Sequence, residues 1–177
     1  MKKLLVLTVL GCAAVASGCS QDTSTTPATE SASTPAVDGS KFLLTEEPAG
    51  AADVIKVREE AKDGDEVVLV GRIGGDENPW VDGRAAFTIV DGSLKACSDI
   101  PGDQCPKPWD YCCETDRLPA STALIKVVDA EGSLVKANAK GLLGVTELST
   151  VVVKGKAKRD DAGNLTVLAT GVYVKKK

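Results

Sequence analysis

Five runs of alternating apolar and polar residues, a partly helical stretch between the third and fourth runs, and a turn-rich link between the fourth and fifth together predict an all-β chain. Their order is that of a five-stranded OB-fold-like Greek-key barrel, preceded here by a helix and interrupted between its second and third strands by a long cysteine-rich loop. No internal repeat is visible. Once the N-terminal region is set aside, about 135 residues remain, enough for one core and too few for two.

Met1-Lys2-Lys3 is followed by the apolar run Leu4 to Leu10 and then by Ala13 to Ala16, the charged and apolar regions of a secretory signal over residues 1–18. Ala16-Ser17-Gly18-Cys19 resembles a bacterial lipobox, which makes Cys19 the lipidated first residue of the mature chain. The resemblance implies an extracytoplasmic, lipid-anchored position, and Ser20 rather than Asp after Cys19 favours the outer membrane if the envelope is Gram-negative. Residues 19–40 are rich in Ser, Thr, Pro and Ala and offer almost nothing to bury, so they form a tether of about 25 Å average reach. The folded domain is expected over residues 41–177.

Pro48 and the stretch after it predict a helix from Pro48 to Lys62, with Val54 and Ile55 facing the core and Gly64 as a left-handed cap. The first strand, Glu66 to Gly74, places Val67, Leu69 and Ile73 on one face. The second, Arg84 to Val90, groups Ala85, Phe87 and Ile89; the third, Ala123 to Asp129, groups Ile125 and Val127. Thr150 to Lys158 alternates most clearly, with Val151, Val153 and Ala157 inward and Lys154, Lys156 and Lys158 outward. Leu165 to Lys175 closes the chain after the hairpin loop Arg159 to Asn164. The connection Lys136 to Leu148 is partly helical, with Gly141 and Gly144 weakening the helix.

The phrases KDGDEVVLVGRI, FTIVDGSL and STVVVKGKAKRDDAGNLTVLATGVYV, placed after a helix, resemble the bacterial periplasmic OB-fold proteins from about Pro48 to Lys175. The resemblance implies an exported small barrel and brings no catalytic residues with it. The cysteine loop departs from the pattern of that family.

That loop, residues 92–122, carries Cys97, Cys105, Cys112 and Cys113 in the spacing C-x7-C-x6-C-C. In an oxidising compartment an even set predicts two disulfides that staple a long loop. A bond between the neighbours Cys112 and Cys113 would be strained, so they are expected to pair with Cys97 and Cys105 in an order left open. The alternative is a thiol-dependent metal-binding (zinc) or redox protein using the same four residues. Zinc knuckles usually have shorter spacing, and a C-x-x-C redox motif is absent. No cofactor is therefore expected.

Possible contacts to a ligand or partner are the scarce aromatics Trp80, Trp109 and Tyr111, together with Arg72 and Arg84. Against this, Trp109 is expected to form the small core of the cysteine loop, Trp80 to cover a barrel end, and the arginines to be solvated. Asp76, Glu77, Asp99, Asp103, Asp110, Glu114 and Asp116 read as surface carboxylates rather than a catalytic pair. The chain has no His, which removes the commonest general base, and no catalytic constellation is readable. Its net charge is -4, more acidic by two once Lys2 and Lys3 are cleaved away, which argues against nucleic acid. The sequence thus predicts a membrane-anchored extracytoplasmic binding module for an unknown protein or small molecule, its cysteine loop structural.

Overall fold

The alternating runs form strands where their periodicity places them. The computed structural model describes residues 37–176, so the signal, Cys19 and most of the tether lie outside the described residues. The described chain is mostly β: one six-stranded sheet with short helices around it.

Strands β2 (Glu66–Ile73), β3 (Ala86–Val90), β4 (Thr122–Val127), β5 (Thr150–Arg159) and β6 (Leu165–Val174) correspond to the five predicted runs. With the short β1 (Ala52–Asp53) the sheet order is β1-β2-β3-β4-β6-β5, and the further pairing of β2 with β5 closes five of the six strands into a ring. All neighbours in that ring are antiparallel except β4 and β6, which run parallel from Leu124↔Thr166 to Val127↔Ala169. Leu69, Ile73, Phe87, Ile89, Ile125, Val151, Val153 and Val167 are fully buried inside, as a period of two requires. The exposed Lys154, Lys156 and Lys158 alternate with buried residues on β5.

Late in the chain this alternation changes phase. The register between β5 and β6 shifts at Lys154/Gly155, leaving Thr170 as an extra residue, so Val172 rather than Gly171 continues the inward row of Leu165, Val167 and Ala169. Gly155 makes the close approach possible: a Cβ there would lie 2.2 Å from the Leu168 carbonyl oxygen.

The helix differs from its expected extent. α1 covers only Val54–Glu60, because Ala52 and Asp53 form β1 and pair in parallel with Leu69 and Val70 of β2. Those two residues commit their backbone to the sheet, and Gly50 turns the chain into it at φ +78°. Val54 and Val57 enter the main core, whereas Ile55 packs on a second cluster. Gly64 is not the cap of α1. The last carbonyls of the helix, at Val57, Arg58 and Ala61, accept hydrogen bonds from the Arg159 guanidinium at the far end of β5.

In the connection between β4 and β5, a short helix (Ala139–Leu143) buries Leu142 and Leu143. Here Gly144, expected to weaken the helix, ends it in the left-handed conformation at φ 63°. In the hairpin loop between β5 and β6, the Asp160 carboxylate accepts from the backbone and side-chain amides of Asn164, both at 2.8 Å.

Candidate functional site

The cysteine loop is built onto the outer surface of the ring. It starts at Asp91, whose buried carboxylate accepts 2.9 Å hydrogen bonds from the backbone of Ile55 on α1 and of Ser93. Burial alone would push that carboxyl up, but the bonds outweigh it and hold it below the usual carboxylate range. Leu94, Ala96 and Tyr111 then pack against the outward face of Val90, with Ile55, Leu118 and Leu148 around them. This second cluster explains why β3 is buried on both faces.

Tyr111, not Trp109, is the core residue of the loop. It is fully buried and presents no surface to a ligand; its hydroxyl has no hydrogen-bond partner among the described residues, and burial pushes the phenol up to about 12. Gly74, just after β2, makes room for the loop: a Cβ there would stand 2.8 Å from the Tyr111 ring and 2.9 Å from the Trp109 carbonyl oxygen. Trp109 is half-buried, and its indole N–H donates to the Glu77 carbonyl at 3.1 Å. Lys107 adds an ion pair to the Glu77 carboxylate at 2.5 Å.

Backbone hydrogen bonds fold the loop back on itself. Cys97 N–H donates to the Asp110 carbonyl at 2.8 Å and Ser98 N–H to that of Pro108 at 3.0 Å, setting the first cysteine beside the last two. Asp99 closes the short 3-10 turn Cys97–Asp99 by accepting from Ala96 N–H at 3.1 Å, and it takes an ion pair from Arg72 of β2. The Arg72 guanidinium holds the Asp99 carboxyl below its ordinary range.

Three of the four sulfurs converge. Those of Cys97, Cys105 and Cys112 all lie within 4.8 Å of one another, with Cys97 and Cys112 3.4 Å apart. Cys113 is outside that group, although its sulfur lies 3.9 Å from that of Cys112. Cys97 is buried, Cys105 half-buried, and Cys112 and Cys113 exposed. No pair among these is at the roughly 2.05 Å of a disulfide. Burial, followed by the contact with Cys112, pushes the Cys97 thiol up to about 12.

Trp80 belongs to a different place. Residues 79–81 run along the part of β3 that β2 leaves unpaired, with Thr88 N–H donating to the Pro79 carbonyl at 2.8 Å and Val81 N–H to that of Ala86 at 3.0 Å. The Trp80 ring packs against Phe87 with centroids 5.9 Å apart, and its indole N–H donates to Glu147 at 2.8 Å. The Lys140 ammonium lies 5.0 Å from the ring centroid and 2.5 Å from the same carboxylate. Beside them is a cleft of about 470 Å³ lined by Asn78, Trp80, Val81, Asp82, Asn138 and Lys140. Lys140, Asn138 and Glu147 had no signal in the sequence, because the connection carrying them meets Trp80 only in three dimensions.

The structure therefore divides the predicted contacts. Trp80 borders an open cleft, Arg72 ties β2 to the cysteine loop, and Arg84 is exposed, reaching only the neighbouring Gly83 carbonyl at 3.3 Å. Glu77, Asp99 and Glu114 are engaged with Lys107, Arg72 and Arg117 rather than with one another. Among the described residues no helix is long and apolar enough to cross a membrane.

No family model matches the chain, and no curated protein matches it either. Among solved structures it is similar to the OBody AM1L10 bound to hen egg-white lysozyme, at 11% identity over 76% of this chain and 99% of that one, with a TM-score of 0.40. It is similar also to the hypothetical protein ygiW from E. coli, at 14% identity over 72% of this chain and 94% of that one, TM-score 0.38. A DUF3299 family protein from Pseudomonas aeruginosa aligns at 16% identity over 80% of this chain and 95% of that one, TM-score 0.33.

Proposed function

We propose that this chain is a lipid-anchored, extracytoplasmic binding module built on an OB-fold Greek-key barrel, with the cysteine loop as a structural attachment. The observation that carries the fold reading is the cyclic strand order β2-β3-β4-β6-β5, together with the parallel pairing of β4 and β6. In an OB-fold the connection between the first two barrel strands flanks the ligand face. Here that connection carries Trp80 and the cleft beside it, and Val81 next to it is a large apolar residue left 42% exposed. An aromatic ring held by Phe87 and Glu147 is a pre-ordered contact, which lowers the entropy cost of binding a protein segment or small molecule there.

The anchor rests on the signal and the lipobox-like Ala16-Ser17-Gly18-Cys19. Two measurements test the reading on the full-length chain in its own envelope. Cys19→Ser should move the protein from the detergent phase of a phase-separation extract to the aqueous phase; a wild type without acyl mass would sink the anchor. A photo-crosslinking residue in place of Val81 should give a discrete adduct that Trp80→Ala loses. Absence of any adduct from a folded, anchored protein would sink the binding face.

A further inference from the structure

We propose that Cys97, Cys105 and Cys112 form a three-thiolate site for a thiophilic d10 cation, zinc or cuprous copper, which closes the loop around itself while Cys113 stays outside. The inference concerns the loop alone and does not depend on the lipid anchor or on the Trp80 face.

The geometry points to one centre rather than to separate pairs. A cation bound at about 2.3 Å to each sulfur places tetrahedral ligands about 3.8 Å apart and trigonal ones about 4.0 Å apart. The observed separations, 3.4 Å for Cys97 and Cys112 and none above 4.8 Å within the trio, are compatible with those values. A disulfide needs about 2.05 Å and can join only two of the three sulfurs, whereas one cation can hold all three.

The backbone places the ligands independently of any bond between them. Cys97 is fixed by its N–H on the Asp110 carbonyl, and its turn is held by Asp99. Cys105 N–H donates to Asp103 at 2.9 Å, and Cys112 follows the buried Tyr111. Such support outside the ligand shell is what orients ligands before the cation arrives. Cys113 comes within 3.9 Å of Cys112 but is outside the group whose sulfurs all lie within 4.8 Å of one another, so it touches the trio at one member only. The donor set is all sulfur, which selects soft cations over calcium or magnesium. Binding exchanges each thiol proton for a bond to the cation: the three protons go to solvent and no electron is transferred.

Spacing alone weighed against the site, because C-x7-C-x6-C does not have the short knuckles of familiar zinc motifs. The fold supplies the closeness that the spacing lacks.

The test uses the whole mature chain, reduced and handled without oxygen, with cadmium as a spectroscopic probe and then zinc and cuprous copper in competition with a chelator. About one equivalent of cadmium should bind with a sulfur-to-metal charge-transfer band. Cys105→Ser, at a half-exposed position that leaves the packing of the loop intact, should weaken binding by more than about a hundredfold, beyond the usual effect of changing an outer-shell partner. Cys113→Ser should leave the band and affinity unchanged. The zinc and copper arms identify which cation the site prefers, from whichever competes out cadmium at the lower free concentration. Three results would each overturn the proposal: no chelator-resistant binding by the reduced protein, a Cys105→Ser band equal to the wild type, or two intact disulfides in protein taken from its native envelope.

Discussion

The ring and the cysteine loop are held together by different physics. In the ring, inward side chains lie in rows set by a period of two, broken at the β5–β6 bulge, and neighbouring strands share the burial of Leu69, Phe87, Ile125, Val153 and Val167. The loop has no regular structure beyond the 3-10 turn Cys97–Asp99 and the single helical turn Leu118–Ser121. It is attached through one apolar patch around Tyr111, the Asp91 carboxylate, and the ion pairs of Arg72 and Lys107. Damage to the ring should therefore be global, and damage to the loop should remain local.

The largest difference is expected on β5. Val153→Asp puts an unpaired carboxylate inside the ring, at a cost of several kcal/mol against a total stability of roughly 5 to 15. Lys154→Asp, one residue on and exposed, should stay within about 0.5 kcal/mol. Urea unfolding of the two variants compares them directly, and equal midpoints would show that β5 does not alternate as described.

In the loop the corresponding residue is Tyr111. Tyr111→Ala should cost about 3 to 5 kcal/mol of local packing, freeing the loop for cleavage near Lys107 while the circular dichroism of the strands persists. Tyr111→Phe removes only the unpartnered hydroxyl, so the loop should be at least as resistant as wild type. Strands that melt along with Tyr111→Ala would mean that ring and loop form one cooperative unit.

The contrast also explains what could be read in advance. Strand periodicity is local, so β2, β5 and β6 stand within a residue or two of their predicted bounds. The start of α1 was not legible, because Ala52 and Asp53 choose sheet over helix only when β2 lies beside them. Arg159 as its cap is beyond any local pattern, since roughly a hundred residues separate the partners. The cysteine spacing identified the loop but not which sulfurs meet, a matter decided by the Cys97 and Ser98 hydrogen bonds. Tyr111 and Trp109 exchange their expected roles for a similar reason: the missing Cβ of Gly74 leaves room at Tyr111, and the loop turns that ring inward.

The smallest expected effect lies where the ring meets its connecting loops, at Glu147. Burial pushes its carboxyl up, but the ammonium of Lys140 and the indole N–H of Trp80 outweigh burial and hold it below its ordinary value. A carboxyl lowered in the folded state contributes stability that is complete above its unfolded pKa, about 4.3, and is lost as pH falls through the lower folded value. The Trp80 indole should therefore keep its environment at neutral pH and change only in the acid range below about 4.3. In a Trp109→Phe background the emission reports Trp80 alone, since the chain has 2 tryptophans. Glu147→Gln keeps an acceptor for the indole but removes the ionisable group, so the acid transition should disappear while the neutral spectrum changes little. An emission change centred above the ordinary carboxylate range, or one that survives in Glu147→Gln, would assign the transition to another group and release Trp80 from the Lys140 and Glu147 bridge.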